Sequence, residues 1–249
     1  MKALPPHRNT LLEARKVYSK CASKVENNIT QQGITPLLSS QVIGIGIAAE
    51  WLRRASEMDK IHYIGKPLNK SKSSERFIEL LRFSFSWFAL NSIFTRTELL
   101  NLFGETSSNS EYDAFYLLYS SSSLINVPQR LEELHRILNT LITTRLPNNN
   151  GNPVSTLQAI YLKYLPIPNG RKGRTARDIE QAVQSGSANS LDMSTLLYVF
   201  RNWSVHGNTM HGCFGSHPRF IEYTSLIQET LAELHYDIAV RLHNILEPY

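Results

Sequence analysis

The chain has 249 residues, of which 42% are hydrophobic, and this is enough apolar material for one large domain or a domain with an extension. Two cysteines, Cys21 and Cys213, are too few for a disulfide framework, and the sequence contains no run of 18 apolar residues that could span a membrane. Because the N-terminal residues also lack the apolar segment of a secretion signal, we expect a cytoplasmic protein without membrane contact.

The net charge of +5 is unevenly distributed along the chain. Residues 1–76 contain 13 Lys and Arg against six Asp and Glu, and residues 134–177 contain seven basic residues and no acidic residue. Nucleic acid is the natural polyanionic partner of such a positive field. Composition alone slightly favours the simpler alternative, a solvated basic face without a partner.

The N-terminal part of the chain predicts two helices. Apolar residues recur at helical spacing over 7–31 and again over 41–60, and the segment 33–40 is expected to separate the two helices. Gly44 and Gly46 fall inside the second helix. No strand precedes them, so a dinucleotide-binding loop is excluded and we interpret both as glycines that allow close helix packing.

Apolar residues recur at helical spacing in further segments of the chain. They predict helices over 74–94, 111–120, 129–146, 154–165, 178–184, 191–205 and 220–246. No segment clearly predicts a strand, so the expected fold class is all-α, a helical bundle closed by the last two long helices. We interpret residues 1–74 as a helical extension packed on a core of residues 75–249, with one continuous domain as the alternative.

The stretch 200–207 carries the most distinctive chemistry. Asn202 and His206 are four residues apart and share a helix face, and the long side chain of Arg201 can reach the same edge. Gly207 is suited to ending the helix. A guanidinium, an amide and an imidazole at one helix end suit a phosphodiester, although they also fit an ordinary capped helix end.

The order Arg201-Asn202, three residues, then His206 resembles the R-N-x-x-x-H signature of HEPN domains, an all-helical family with many metal-independent ribonucleases. The aromatic-rich segment 87–94 is also similar to the early core helix of some HEPN families. The resemblance implies a helical bundle of the HEPN type with additional N-terminal helices. In that case residues 75–249 form the HEPN-like domain.

The resemblance also implies a reaction. In the family, the 2′-hydroxyl of the RNA attacks the adjacent phosphorus and leaves a 2′,3′-cyclic phosphate and a 5′-hydroxyl. His206 would transfer the proton, Arg201 would stabilise charge on the phosphate oxygens, and Asn202 would hold the helix end or a phosphate oxygen. The resemblance likewise implies a homodimer with a composite active site. It also implies a toxin or antiviral-defence setting, with an antitoxin or a defence partner protein.

Asn91 is a polar residue on the apolar stripe of the 74–94 helix. A buried amide needs hydrogen-bond partners, so Asn91 either satisfies a neighbouring backbone group or faces the helix of Arg201 and His206 and supports the site.

Further basic residues are candidates for contact with RNA. The sharpest basic cluster of the chain comprises Arg171, Lys172, Arg174 and Arg177. His211 is an additional candidate for a supporting residue of the site, and Arg219 is a candidate for binding RNA phosphate. Both belong to the irregular segment that follows the motif, whose glycines permit backbone approach.

The same segment offers a competing interpretation. His206, His211, Cys213 and His217 are residue types that zinc accepts, but their spacing matches no common structural zinc module. We therefore expect no metal and no cofactor. The main rival to a nuclease is a catalytically inactive HEPN-like module that binds RNA or nucleotides or mediates assembly, and a second rival is a module whose basic surface meets an acidic protein.

Overall fold

The computed structural model describes residues 6–32, 36–58, 72–104, 110–123, 127–147, 153–157, 174–205 and 220–247. Within these ranges the chain forms helices joined by turns, together with one small hairpin. The elements in chain order are α1 Pro6–Gln32, α2 Pro36–Glu57, α3 Lys72–Phe94, α4 Thr97–Leu102, α5 Glu111–Ser120, α6 Pro128–Thr143, β1 Arg145–Pro147, β2 Pro153–Ser155, α7 Arg174–Ser185, α8 Met193–Val205 and α9 Phe220–Leu246. The predicted all-α fold class is confirmed. None of the helices in these ranges is long and apolar enough to cross a membrane.

Helix α2 begins earlier than the sequence predicted. It starts at Pro36, inside the segment that was expected to separate α1 from α2. Proline is well suited to the first turn of a helix because its missing N–H has no partner there in any case. The interpretation of Gly44 as a close-packing glycine is confirmed, since a Cβ there would lie 2.5 Å from Leu99 Cδ1 in α4. The described residues give no support to the same interpretation of Gly46, because none of their atoms lies within 4 Å of that Cβ position.

The hairpin takes up the first two residues of the helix predicted over 154–165. Val154 pairs with Leu146 and Ser155 with Arg145 in an antiparallel ladder, so these two residues belong to a strand. Thr156 extends the pairing, since its backbone N–H donates to the Thr144 carbonyl at 2.7 Å. Long-range pairing therefore determines the conformation of Val154 and Ser155, whereas Thr156 and Leu157 are helical, as predicted. Residues 158–165 lie outside the described part of the chain.

The chain forms two compact units. Unit 1 comprises Met1–Leu68, Ile78–Asn126 and Gln228–Tyr249, and unit 2 comprises Asn69–Phe77 and Val127–Ile227. Helices α1 and α2 thus belong to the same unit as residues 78–126. The predicted division into an extension over 1–74 and a HEPN-like domain over 75–249 stays a prediction.

The core of unit 1 is built around Trp87, which is 1% exposed. Its ring lies 4.9 Å from the ring of Phe115 in α5 and 6.1 Å from the rings of Phe83 and Phe94 in α3. Aromatic pairs at these distances add specific edge and face contacts to the burial of apolar area. The aromatic side chains Phe83, Trp87 and Phe94 of the helix predicted over 74–94 therefore belong to the hydrophobic core.

Two buried arginines hold the C-terminal end of α2 in unit 1. Arg8 of α1 donates from Nε to the Ser56 carbonyl at 2.8 Å, and Arg82 of α3 donates from Nε to the Met58 carbonyl at 3.0 Å. Carbonyls at the end of a helix have no partner within the helix, so the two guanidinium groups satisfy them and complement the helix dipole. Glu79 accepts a hydrogen bond from Arg82 and offsets part of the buried charge.

Two histidines of unit 1 are buried in the neutral form. His235 is fully buried, and its Nε2 lies 2.8 Å from the Ser86 carbonyl, which accepts the hydrogen bond. Burial lowers the pKa of His235 to about 4. His7 is 4% exposed, and burial, assisted by the nearby Arg82 charge, lowers its pKa to about 4 as well. Protonation of either imidazole therefore disfavours the folded state.

The low pKa of His235 gives a testable pH dependence. Because the folded pKa is about 4 and the unfolded value is 6.5, its contribution to stability is fully present above pH 6.5 and is lost as the pH falls towards 4. The linked loss is on the order of 3 kcal/mol in the free energy of unfolding. Urea denaturation of the wild type and of His235→Gln, each across this pH range, should show a shallower decline in the variant. Parallel declines would contradict the prediction.

Candidate functional site

The helix α8, which carries Arg201 and Asn202, has a well-defined start. Asp192 Oδ1 accepts a hydrogen bond from the backbone N–H of Thr195 at 2.7 Å and another from the Ser194 hydroxyl at 2.8 Å. An aspartate at this position satisfies a free N–H of the first turn and interacts favourably with the helix dipole. Ser190, with Asp192 nearby, is a residue type that can start this helix, and the structure assigns the capping role to Asp192.

The segment before α8 is attached to α6 by polar contacts within unit 2. Asn139 Oδ1 accepts a hydrogen bond from the Ala188 backbone N–H at 2.6 Å, and its Nδ2 donates to Asn189 Oδ1 at 3.0 Å. His135 Nε2 lies 2.6 Å from the Leu191 carbonyl, which accepts its hydrogen bond. These contacts determine where the chain enters α8.

The apolar side of α8 is deeply buried. Leu196, Leu197, Val199 and Phe200 have no exposed surface. The Phe200 ring lies 5.8 Å from the ring of Tyr223, in the part of α9 that belongs to unit 2. Burial raises the pKa of the Tyr223 hydroxyl well above its usual value. Because this side of the helix is fixed by packing, the rotation of α8 about its own axis is fixed too.

The guanidinium of Arg201 has two neighbours on α8. Arg201 Nη1 donates a hydrogen bond to Asn202 Oδ1 at 2.9 Å, and Arg201 Cζ lies 5.5 Å from the centre of the Tyr198 ring. All three side chains are half-buried. The arginine lies four residues before Val205, the last residue of α8. The structure thus brings Arg201 and Asn202 together at a partly accessible position near the C-terminal end of the helix.

The other residues of the predicted site have different outcomes. His206, His211, Arg171, Lys172 and Arg219 lie outside the described residues. The same holds for the other possible zinc ligands in the segment after the motif. Among the residues that the structure describes, no group of three or more His, Cys, Asp and Glu could hold a metal ion.

Two members of the predicted basic cluster belong to α7. Arg174 is the first residue of this helix, and Arg177 lies one turn further along with an exposed side chain. The sequence had placed this cluster before a short helix over 178–184. The helix instead begins within the cluster, so Arg174 and Arg177 belong to the same helix.

Asn91 belongs to α3 in unit 1. Its Oδ1 atom is buried and accepts no hydrogen bond from the described residues. Its backbone carbonyl accepts the hydroxyl of Thr95 at 2.6 Å, close to the end of the helix. The role of Asn91 as a supporting residue for Arg201 and His206 stays a prediction.

An open groove of about 610 Å³ runs along the polar face of α6. Its lining consists of Glu132, His135, Arg136, Asn139, Thr140, Thr143 and Asn189. Many of these groups already have partners: Arg136 pairs with Glu222 at 3.0 Å, and the Thr140 and Thr143 hydroxyls donate to carbonyls of their own helix. The groove therefore lies beside the contacts that attach the segment before α8 to α6, and its lining does not indicate a ligand.

Tyr198 contacts Arg201, and His135 and Asn139 attach the segment before α8; none of the three is a candidate site residue by sequence pattern. Tyr198 could have been found, because a residue three positions before Arg201 lies on a neighbouring ridge of the same helix. His135 and Asn139 lie in a different helix from Arg201. No spacing in the sequence indicates that they contact the 188–191 segment.

No protein-family model matches this chain, and no curated protein and no solved structure is significantly similar to it. The resemblance to HEPN domains therefore rests on Arg201, Asn202 and His206 and on the aromatic segment 87–94.

The capping of α8 can be tested with a matched pair of variants. Replacing Asp192 by Ala removes the acceptor of the Thr195 N–H and should lower the free energy of unfolding by about 0.5–2 kcal/mol. Ser190→Ala, at a neighbouring exposed position, should change it by less than about 0.5 kcal/mol. Urea denaturation monitored by circular dichroism measures both values. Equal effects of the two substitutions would show that Asp192 is not the cap.

Proposed function

We propose that this protein is a metal-independent endoribonuclease of the HEPN type. The observation that supports this proposal most is the placement of the Arg201 guanidinium against Asn202 and Tyr198 near the end of α8. In the sequence His206 follows Asn202 by four residues, which is one helical turn. The set comprises a planar cation for phosphate oxygens, an amide, and an imidazole that can transfer protons near neutral pH.

The reaction needs only groups of the RNA and of the protein. The substrate 2′-hydroxyl attacks the adjacent phosphorus, the bond from phosphorus to the 5′-oxygen breaks, and the products are a 2′,3′-cyclic phosphate and a 5′-hydroxyl. His206 accepts the proton of the 2′-hydroxyl or donates a proton to the departing 5′-oxygen. Arg201 stabilises the negative charge that develops on the phosphorus oxygens in the transition state.

Asn202 has a clearer role than the sequence could give it. Its Oδ1 atom accepts a hydrogen bond from Arg201 Nη1, so the amide holds the guanidinium in place. Its Nδ2 group is a donor, and we assign it to a phosphate oxygen of the bound RNA. A fixed donor costs less reorganisation during the reaction than a mobile one.

RNA binding is proposed for the basic cluster at the start of α7. Arg177 has an exposed side chain on this helix, and Arg174 precedes it by one turn. Arg171 and Lys172 come directly before the helix in the sequence, and His211 and Arg219 follow the motif. Such residues contribute to affinity through phosphate contacts without reading the base sequence.

The remaining parts of the proposal rest on the HEPN resemblance. One chain supplies one motif histidine, whereas the reaction uses an acid and a base, so we propose a homodimer in which two motifs share one cleft. We further propose a cytoplasmic protein that works in a toxin or antiviral-defence system together with an antitoxin or another defence protein.

The nuclease proposal predicts loss of cleavage in variants of the motif. His206→Ala and Arg201→Ala should each lower the cleavage rate of labelled single-stranded RNA by about 10²-fold or more. Ser204→Ala is the matched control, because the Ser204 hydroxyl donates to the Phe200 carbonyl within α8. Wild type and control should cut equally in EDTA, and the 5′ fragments should end in a cyclic phosphate.

Three outcomes would overturn this proposal. Cleavage that EDTA abolishes would indicate a metal-dependent enzyme, and cleavage that survives in His206→Ala would exclude the imidazole. RNA binding by the wild type without any cutting would favour the rival function, a catalytically inactive HEPN-like module for binding or assembly. If the proposal is right, an RNA whose 2′-hydroxyls are replaced by hydrogen should bind and remain intact, because it lacks the attacking group.

The basic cluster makes a separate prediction about affinity. Arg177→Gln should weaken the binding of RNA. It should also reduce the magnitude of the slope of the logarithm of the binding constant against the logarithm of the salt concentration by about 1, which corresponds to one phosphate contact. Arg54→Gln is the control, because Arg54 is 52% exposed on α2 in unit 1. Fluorescence anisotropy with labelled RNA at several salt concentrations gives both slopes. An equal loss in the two variants would indicate a general effect of net charge.

A further inference from the structure

The arrangement of Tyr198 and Arg201 supports an inference that the motif alone does not contain. Tyr198 precedes Arg201 by three residues and Asn202 by four, so it is a neighbour of both on the surface of α8. The guanidinium carbon lies 5.5 Å from the centre of the Tyr198 ring, within the range of a cation–π contact.

The two neighbours restrain the guanidinium in complementary ways. The hydrogen bond to Asn202 Oδ1 restrains one nitrogen at 2.9 Å, and the Tyr198 ring restrains the position of the whole cation. A long arginine side chain on a helix surface otherwise samples many rotamers. Together the two contacts direct the guanidinium towards Asn202, on the helix face that His206 would share if the helix continued.

Tyr198 differs in exposure from its neighbours on α8. Leu197 and Val199 on either side are fully buried, whereas Tyr198 is half-buried. A leucine would satisfy the apolar edge of the helix equally well, but it has no negative ring face for a cation. The aromatic ring is therefore the feature of Tyr198 that matters for Arg201.

We propose that Tyr198 is a positioning residue that acts through Arg201. Its ring holds the guanidinium against Asn202, so that the cation is already in place when a phosphate group arrives. The consequence for RNA cleavage rests on the nuclease function proposed above, whereas the effect on the guanidinium itself does not depend on any activity.

The direct test follows the Arg201 side chain by NMR in the free protein. The Nε–Hε signal of Arg201 is assigned by its disappearance in Arg201→Lys. In the wild type and in Tyr198→Phe, which keeps the ring, the ring current should shift this signal upfield and its order parameter should be high. Tyr198→Leu should lose the upfield shift and lower the order parameter. Tyr236→Leu is the control, because Tyr236 is an exposed tyrosine of α9 in unit 1.

An unchanged Arg201 signal in Tyr198→Leu would overturn the proposal, whatever the activity of the variants. Thermal unfolding of each variant identifies any general loss of structure, and Tyr198→Met, a second variant without a ring, replaces Tyr198→Leu in the comparison if the leucine variant unfolds. A wild type that does not cut RNA would end the nuclease proposal, but the NMR comparison would still decide the role of Tyr198.

If the protein is an active nuclease, a comparison of kcat and KM among the Tyr198 variants gives a second test of positioning by the ring. Tyr198→Leu should lower kcat about fivefold to tenfold with little change in KM, because a displaced cation costs more in the transition state than in binding. Tyr198→Phe should restore kcat to near the wild-type value. A kcat that falls equally in both variants would contradict positioning by the ring.

Discussion

The attachment of the 188–191 segment to α6 is the constraint on which the candidate site depends. Asn139 and His135 use an amide and an imidazole to bond the Ala188 N–H, the Asn189 side chain and the Leu191 carbonyl. Asp192 then caps α8 directly after this segment. Because the helix start is fixed by hydrogen bonds and one helix side is fully buried, the axial rotation of α8 is set, and with it the direction of Arg201.

The basic composition of the chain has more than one physical origin. Arg8 is buried and bonds the Ser56 carbonyl at the end of α2, so its charge serves the folding of unit 1. Arg53 pairs with both Glu50 and Glu57 on the surface of α2. The excess of basic residues over 1–76 is thus partly a structural feature, and it gives weaker support for nucleic-acid binding than the exposed Arg177 of α7.

The polar groups of the two units illustrate opposite uses of burial. In unit 1, burial keeps His7 and His235 uncharged and lowers the pKa of each to about 4. In unit 2, Arg201 remains half-buried and contacts an amide and an aromatic ring. A charge in that environment keeps access to solvent while its orientation is restricted, which suits the phosphate contact proposed for it.

Much of the helical architecture is determined by the sequence itself. Periodic apolar residues and capping residues are local signals, and they identified α1, α5, α8 and α9 with bounds within about two residues of the structure, as well as the motif of Arg201 and Asn202. Local signals failed at Val154 and Ser155, because a strand needs a partner from another part of the chain.

Only the tertiary structure decided how α8 is anchored. His135 and Asn139 of α6 bond the segment before α8, and these hydrogen bonds join residues 49, 50 and 56 positions apart. Such contacts follow from the three-dimensional path of the chain, which the spacing of residues in one helix does not encode.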